Sequence, residues 1–229
     1  MEPVILYEDQ DILAVHKPAG LSTQTSRIGA PDCVSALKIL LHERDGISDP
    51  YLGVIHRLDQ PVEGIILFAK NREAAAVLSK DLQSERMVKE YRVASKSGEV
   101  IEQRTHRLID YILTDRILNM SRIAEAGEKN AKRAELFYEP VKSYIENGYP
   151  GEPFRVHILK VLLKTGRHHQ IRVQLSHAAL PVIGDSKYGF VPGGYEGPLC
   201  LKAVRLAIRH PVSRQEMEFS IDPGMMGER

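Results

Sequence analysis

The segment densest in reactive groups is Val54-Ile55-His56-Arg57-Leu58-Asp59-Gln60-Pro61-Val62-Glu63-Gly64. A histidine, an arginine and an aspartate follow an apolar run directly, and proline and glycine come next. A carboxylate where a strand runs into a loop is held by a rigid scaffold yet open to a substrate. Such a group could serve as a nucleophile or as a general acid–base. The same residues also fit a surface turn with a solvated Arg57–Asp59 pair, which contributes little in water.

A second cluster is Thr165-Gly166-Arg167-His168-His169-Gln170-Ile171-Arg172. Ile171, Leu175 and Ala178 recur at i, i+4 and i+7, which predicts a helix over about 167–179 with a buried stripe. Two arginines and two histidines would then crowd N-terminal turns whose unpaired N–H groups are already positive. Cations there call for an anion: an RNA phosphate, a protein carboxylate, or both. A solvated basic face around a buried Ile171 is the plainer alternative. His168 and His169, adjacent on a helix, would face different ways, unlike the i, i+4 histidines of a zinc protease. A third cluster, Lys89-Glu90-Tyr91-Arg92, opens a strand, where a tyrosine is ordinarily a core or rim residue. Lys132 and Arg133 end a small basic run that also fits a solvated edge.

The elements that must position these groups are mostly strands. Short β-branched or apolar runs are predicted over 4–7, 11–15, 51–55, 64–69, 91–94, 134–138, 154–163, 200–208 and 216–221. Helices are expected after Asp32, with Val34, Leu37, Leu40 and Leu41 at helical spacing, and after Asn71, with Glu73 in the first turn. Consecutive strands with few helices argue for an α+β fold with a mixed, mainly antiparallel sheet and flanking helices. No repeat, low-complexity stretch or linker forces a boundary, so a single domain over 1–229 is expected.

Composition bounds the rest. The 229 residues are 43% hydrophobic and 27% charged, ordinary for a globular chain. A formal charge of +1 excludes a histone-like binder, so any nucleic-acid surface must be a local patch. Cys33 and Cys200 have no zinc-like spacing and fit two free thiols of a cytoplasmic protein. The first residues lack a basic flank followed by an apolar stretch, and no apolar run approaches ~20 residues, so neither a signal peptide nor a membrane span is expected.

Taken together, the motifs resemble the RluA-type pseudouridine synthases. The family's H-R-L-D, followed by Gly and a hydrophobic strand, is matched by His56-Arg57-Leu58-Asp59 and Gly64-Ile65-Ile66-Leu67-Phe68-Ala69-Lys70. Its T-G-R-x-H-Q-[IL]-R-V is matched by Thr165 to Val173, and its G-D-x-x-Y-G by Gly184-Asp185-Ser186-Lys187-Tyr188-Gly189. Lys17-Pro18-Ala19-Gly20-Leu21 is similar to its K-P-x-G-L, Lys89-Glu90-Tyr91 to its K-x-Y, and Lys132-Arg133-Ala134 to its K-x-A. The matches keep family order over nearly the whole chain. Val62-Glu63 departs from the common Thr-Ser, and His168 from Thr or Ser.

The resemblance implies an RNA uridine isomerase, a catalytic domain without a separate N-terminal RNA-binding domain, two lobes around a central cleft, and no cofactor or metal. It makes Asp59 the nucleophile, Arg172 its guanidinium partner and Tyr91 the ring beside the uracil. Arg57 would occupy the space of a flipped nucleotide. His56, Arg167, His169, Lys89, Lys132 and Arg133 become candidate RNA contacts. The expected partner is a ribosomal or transfer RNA stem-loop, and the expected state a monomer. Two rivals differ in class: a non-catalytic RNA-binding protein, and a base-releasing glycosidase that pairs Asp59 with Glu63.

Overall fold

The structure is a computed structural model that describes residues 2–25, 29–146, 153–189 and 197–224. Its contacts divide the chain into two compact units, Met1–Val88 with Ala203–Asp222, and Lys89–Lys202 with Pro223–Arg229.

The first unit begins with a hairpin of β1 (Val4–Glu8) and β2 (Ile12–Lys17). Its turn is closed by Asp9, whose Oδ1 accepts the N–H groups of Asp11 and Ile12, each at 2.8 Å. β2 then pairs antiparallel with β4 (Glu63–Ala69), from Ile12 opposite Ala69 to Lys17 opposite Gly64. The two-residue β3 (Gly53–Val54) pairs with β4. The strands β10 (Leu201–Arg209) and β11 (Glu216–Ser220) form an antiparallel pair, and β4 lies between β2 and β10.

β2 and β4 read as continuous apolar runs because both faces are covered. On one side Leu13, Val15, Ile66 and Phe68 pack on Cys33, Leu37 and Leu41 of α1 (Cys33–Asp45). On the other, Ile12, Ala14, Ile65 and Leu67 meet Ala74 and Leu78 of α2 (Arg72–Gln83) and Leu206, Ile208 and Phe219 of the closing strands. Both helices start as expected: the Asp32 side chain accepts from Ser35 N–H and the Asn71 side chain from Ala74 N–H. Each such cap contributes about 1 kcal/mol.

The second unit is an antiparallel sheet in the order β5-β9-β8-β6-β7, formed by β5 (Val88–Ser97), β6 (His106–Asp115), β7 (Met120–Ala124), β8 (Lys132–Glu146) and β9 (Phe154–Leu163). Pro140 is tolerated inside β8 because the register slips between Pro140 and Lys142, at a bulge. A short helix, α3 (Gln170–His177), packs Val173 against Ile112, Ala134 and Tyr188.

The architecture is the α+β, mainly antiparallel one expected, with two differences. β6 and β7 were not anticipated, and the helix predicted over 167–179 is shorter. Arg167, His168 and His169 lie in a turn before α3, not within its first turns. The cause is local. His169 takes the left-handed conformation (φ 54°), while the Gln170 side chain accepts from Arg167 N–H at 2.9 Å and from the Thr165 hydroxyl at 2.8 Å. Ala179, also left-handed at φ 58°, ends the element. Among the described residues no helix is long and apolar enough to cross a membrane. Both cysteines are buried, and neither forms a disulfide.

Candidate active site

The loop that carries Asp59 is fixed on both sides of that residue. The Thr23 hydroxyl donates to Leu58 O at 2.9 Å and accepts from Leu58 N–H at 3.1 Å, so one buried side chain satisfies a whole peptide position. Beyond Asp59, Gln60 O accepts from Gly20 N–H at 2.9 Å and from Lys17 Nζ at 3.3 Å, and Val62 N–H closes back on Asp59 O at 3.0 Å. Leu58 and Val62 are buried, 6% and 3% exposed, whereas Asp59 between them is partly exposed. The loop thus anchors its apolar neighbours and fixes the backbone on either side of Asp59.

Lys17 has no exposed surface, yet all three of its ammonium protons are placed: on Leu21 O at 2.7 Å, Pro18 O at 2.9 Å and Gln60 O. Burial pushes its ammonium down to about 8, against the pull of nearby Cys33, Asp59 and Glu63. A buried cation therefore lies within electrostatic reach of the candidate nucleophile. Burial pushes the Cys33 thiol up to about 12, so it stays neutral and takes no nucleophilic role.

Around this loop the other first-unit candidates divide. Arg57 is exposed. The His56 Nε2 accepts the Leu67 N–H at 3.2 Å, which ties the ring to β4. Glu63, the acid that a glycosidase would need, has its Oε1 2.8 Å from His16 Nε2.

In the second unit, Tyr91 lies on β5 opposite Val161 and is only 6% exposed. Arg172, on α3, is 4% exposed and forks onto Asp185: Nε to Oδ2 at 2.8 Å and Nη2 to Oδ1 at 2.7 Å. Its guanidinium carbon also sits 5.2 Å from the Tyr188 ring centroid. Asp185 Oδ1 takes the N–H groups of Lys187 and Tyr188 as well. Burial works to raise the Asp185 pKa, but the Arg172 guanidinium and these N–H groups overcome it and hold the carboxyl below its ordinary value.

The turn before α3 is a polar network. The rings of His168 and His169 stack at 3.8 Å rather than facing apart. His169 is buried and its Nδ1 is 2.7 Å from the Tyr188 hydroxyl, which also accepts from Ser121 N–H at 2.6 Å. His168, a departure from the family pattern, pairs its Nδ1 with Ser121 Oγ at 2.9 Å and its Nε2 with Asn119 Oδ1 at 3.0 Å. Lys89 is nearly buried, at 8% exposed, and its Nζ lies beside Gly166. Lys132 and Arg133 are exposed; Arg133 Nη2 reaches Glu135 at 2.6 Å, Arg107 meets the same carboxylate at 2.8 Å, and Arg167 Nε donates to Arg133 O.

Reading the residues alone gave no role to Thr23 and Lys17, which fix the Asp59 loop, or to Asp185, which holds Arg172. Lys17 and Asp185 stood inside quoted motifs without a role, and Thr23 carried no local signal. Among the described residues one group, Asp9, Asp11 and His210, has the spacing to hold a metal ion. Its atoms are otherwise engaged. His210 Nδ1 accepts from Val212 and Ser213 N–H, which leaves Nε2 as the protonated nitrogen facing Asp9 Oδ2 at 3.0 Å. A protonated nitrogen has no lone pair for a metal.

The fold of this chain is that of the pseudouridylate synthases: human RNA pseudouridylate synthase domain containing 4 superposes with a TM-score of 0.73 over 96% of this chain and 88% of that one, at 21% identity. The sequence goes further. Residues 11–177 match the RNA pseudouridylate synthase family, and the chain belongs to it. It is 34% identical to tRNA pseudouridine synthase C of Haemophilus ducreyi, over 96% of this chain and 90% of that protein. It is 32% identical to ribosomal large subunit pseudouridine synthase D of Salmonella typhimurium, over 94% of this chain but only 65% of that one.

Proposed function

We propose that this RNA pseudouridine synthase acts on uridine in a ribosomal or transfer RNA stem-loop, with Asp59 as its nucleophile. The reaction breaks the N1–C1′ bond and forms C5–C1′; a proton leaves C5 and one is gained at N1. Atoms and electrons balance within the nucleotide, so no oxidant or external group is required. Loss of the N1–C1′ bond leaves C1′ electron-deficient, the situation in which glycosidases use a carboxylate as nucleophile or stabiliser.

The observation that carries this reading is the Asp59 loop. Thr23, Gly20 and Lys17 immobilise the peptides on either side of a partly exposed aspartate that lies near a buried ammonium. Such preorganisation is what a nucleophile needs and a merely solvated turn does not. Tyr91 and Arg172 complete the catalytic assignment, the tyrosine as a stacking surface and proton acceptor, the arginine as a guanidinium partner. Arg57, His56, Arg167, His169, Lys89, Lys132 and Arg133 remain the candidate RNA contacts. Both substrate classes are supported by relatives of nearly equal identity, one named for transfer RNA and one for the large ribosomal subunit.

Asp59→Asn is the direct test, because the amide is nearly isosteric and cannot attack C1′. The variant should melt like the parent and form no pseudouridine on total RNA from cells lacking the gene. Activity within about tenfold of the parent, a barrier change of only ~1.4 kcal/mol, removes Asp59 from the mechanism. Release of free uracil, seen by chromatography, replaces the isomerase reading with a hydrolytic one.

A further inference from the structure

The turn joining β6 to β7 is built to be rigid without using its largest side chains. Asp115 Oδ1 accepts the N–H groups of Ile117 and Leu118 at 2.8 and 3.0 Å, and Asn119 takes the left-handed conformation (φ 50°). Lys187 Nζ then donates to Asn119 O at 2.6 Å, and Asn119 Oδ1 meets His168 Nε2. Two residues further on, Ser121 donates its N–H to Tyr188 and its hydroxyl to His168 O. The hairpin tip is therefore tied to both segments that hold the Arg172–Asp185 pair.

What this tethered tip presents is apolar. Ile117 is 96% exposed and Leu118 is 65% exposed, the former more than any other large hydrophobic residue described. Neither packs into a core cluster, and the turn's hydrogen bonds use only their backbone. A flexible tip could carry such residues without consequence, but a braced one holds two aliphatic side chains at a fixed place in water. Arg116, exposed beside them, and Lys187, bridging behind, supply positive charge, and Asp115 is the acid that closes the turn. Two aliphatic side chains flanked by Arg116 and Lys187 fit a partner that offers negative charge beside flat apolar faces, as the phosphates and bases of an RNA loop do.

We propose that Ile117 and Leu118 form a wedge that packs against unstacked bases of the RNA stem-loop and helps to hold the loop open. Apolar side chains are used in this way where a protein unstacks a base step. Loops and loosely paired ends, whose bases are already splayed, would be the preferred targets. The inference rests on the RNA synthase reading above, so binding and turnover must be read separately.

The test uses the full chain, a uridine-containing stem-loop with 2-aminopurine in its loop, and the double variant Ile117→Ser/Leu118→Ser. The parent should raise 2-aminopurine fluorescence on binding, as the base leaves its stack. The variant should lose that rise and bind the stem-loop roughly tenfold more weakly, the scale of one lost stacking contact. Its melting temperature and the salt dependence of binding should be unchanged, because no core or phosphate contact is removed. Ile117→Phe should keep the fluorescence rise. Equal affinity and an equal fluorescence rise in parent and double variant overturn the wedge. So does self-association of the parent that the double variant abolishes, since the tip would then face a second copy. If the parent shows the tip-dependent rise but forms no pseudouridine, the synthase reading fails while the wedge stands. If it forms pseudouridine with no tip dependence, the reverse holds.

Discussion

Arg172 and Asp185 show how a buried ion pair is made tolerable. Each charge is removed from water and compensated by the two-point contact, and the carboxylate takes two backbone N–H donors besides. Removing one partner of such a pair typically costs about 3–5 kcal/mol, because the other is left charged and buried. Asp185→Asn should therefore lower the melting temperature strongly at neutral pH. The sign of its pH dependence follows from the depressed pKa. Stability contributed by Asp185 is fully present above the unfolded-state value of about 3.9 and is lost as pH falls through the lower folded-state value. The gap in melting temperature between parent and variant should thus be constant from pH 7 to about 5 and shrink below about 4. A gap that persists undiminished into that acid range would show that the carboxylate's charge is not what stabilises the site. Arg172→Lys should be nearly as harmful as removal, since lysine lacks the planar fork that meets both oxygens.

At the scale of elements, Gly64 illustrates why β4 carries the glycine found in the motif. Its φ is 139°, and a Cβ there would fall 2.3 Å from the backbone oxygen of Ala203. Neither the strand nor the β10 backbone can yield cheaply, so Gly64→Ala should destabilise by roughly 3 kcal/mol from overpacking and strain combined. Chemical denaturation would measure this, and a loss below about 1 kcal/mol would mean that β10 moves aside easily. Elements of this buried kind were legible in the sequence. β2, β4 and β9 are dense in apolar residues, and α1 and α2 announce themselves by Asp32 and Asn71. β6 was not legible, because its exposed Ile109, with Arg107 on one face and Asp110 on the other, gives it no clear core face. The start of α3 was misjudged because helical spacing of Ile171 and Leu175 says nothing about the left-handed His169 before them. The Asp59 loop stood out by residue type, but its clamps did not. Thr23 lies 35 residues from Leu58, and no local pattern predicts that hydroxyl's two bonds.

For the whole molecule, a net charge of +1 must be reconciled with a polyanionic substrate. The second unit concentrates its cations: Arg107 and Arg133 share Glu135, and Arg167 donates to the Arg133 carbonyl. Each phosphate neutralised on a single strand contributes about −0.7 to the slope of log affinity against log salt. Engagement of roughly four to six phosphates would give a slope near −3 to −4. Lys132→Ala/Arg133→Ala should reduce that slope by about one unit and leave the single-turnover rate at saturating RNA unchanged. Titration of the Asp59→Asn protein at several salt concentrations checks the binding part without turnover. A slope near zero in the parent would mean that recognition depends on shape and stacking alone.

The path of the chain through its two units has a bearing on synthesis. Leu206, Ile208 and Phe219 belong to the same core cluster as Ile12, Ala14, Ile65 and Leu67, yet the whole of the second unit is strung between them. A ribosome adds about 5–20 residues each second, so the early strands wait on the order of ten seconds for their last partners. During that interval β4 has β2 on one side and, on the side that β10 will occupy, only the two-residue β3 against Phe68 and Ala69. The rest of Glu63–Ala69, rich in Ile and Leu, is then an open edge of the kind that recruits other chains. The second unit, continuous in sequence, can close on itself in the meantime. The step that protects the nascent protein from aggregation is therefore the arrival of the β10–β11 hairpin, long after the Asp59 loop has emerged.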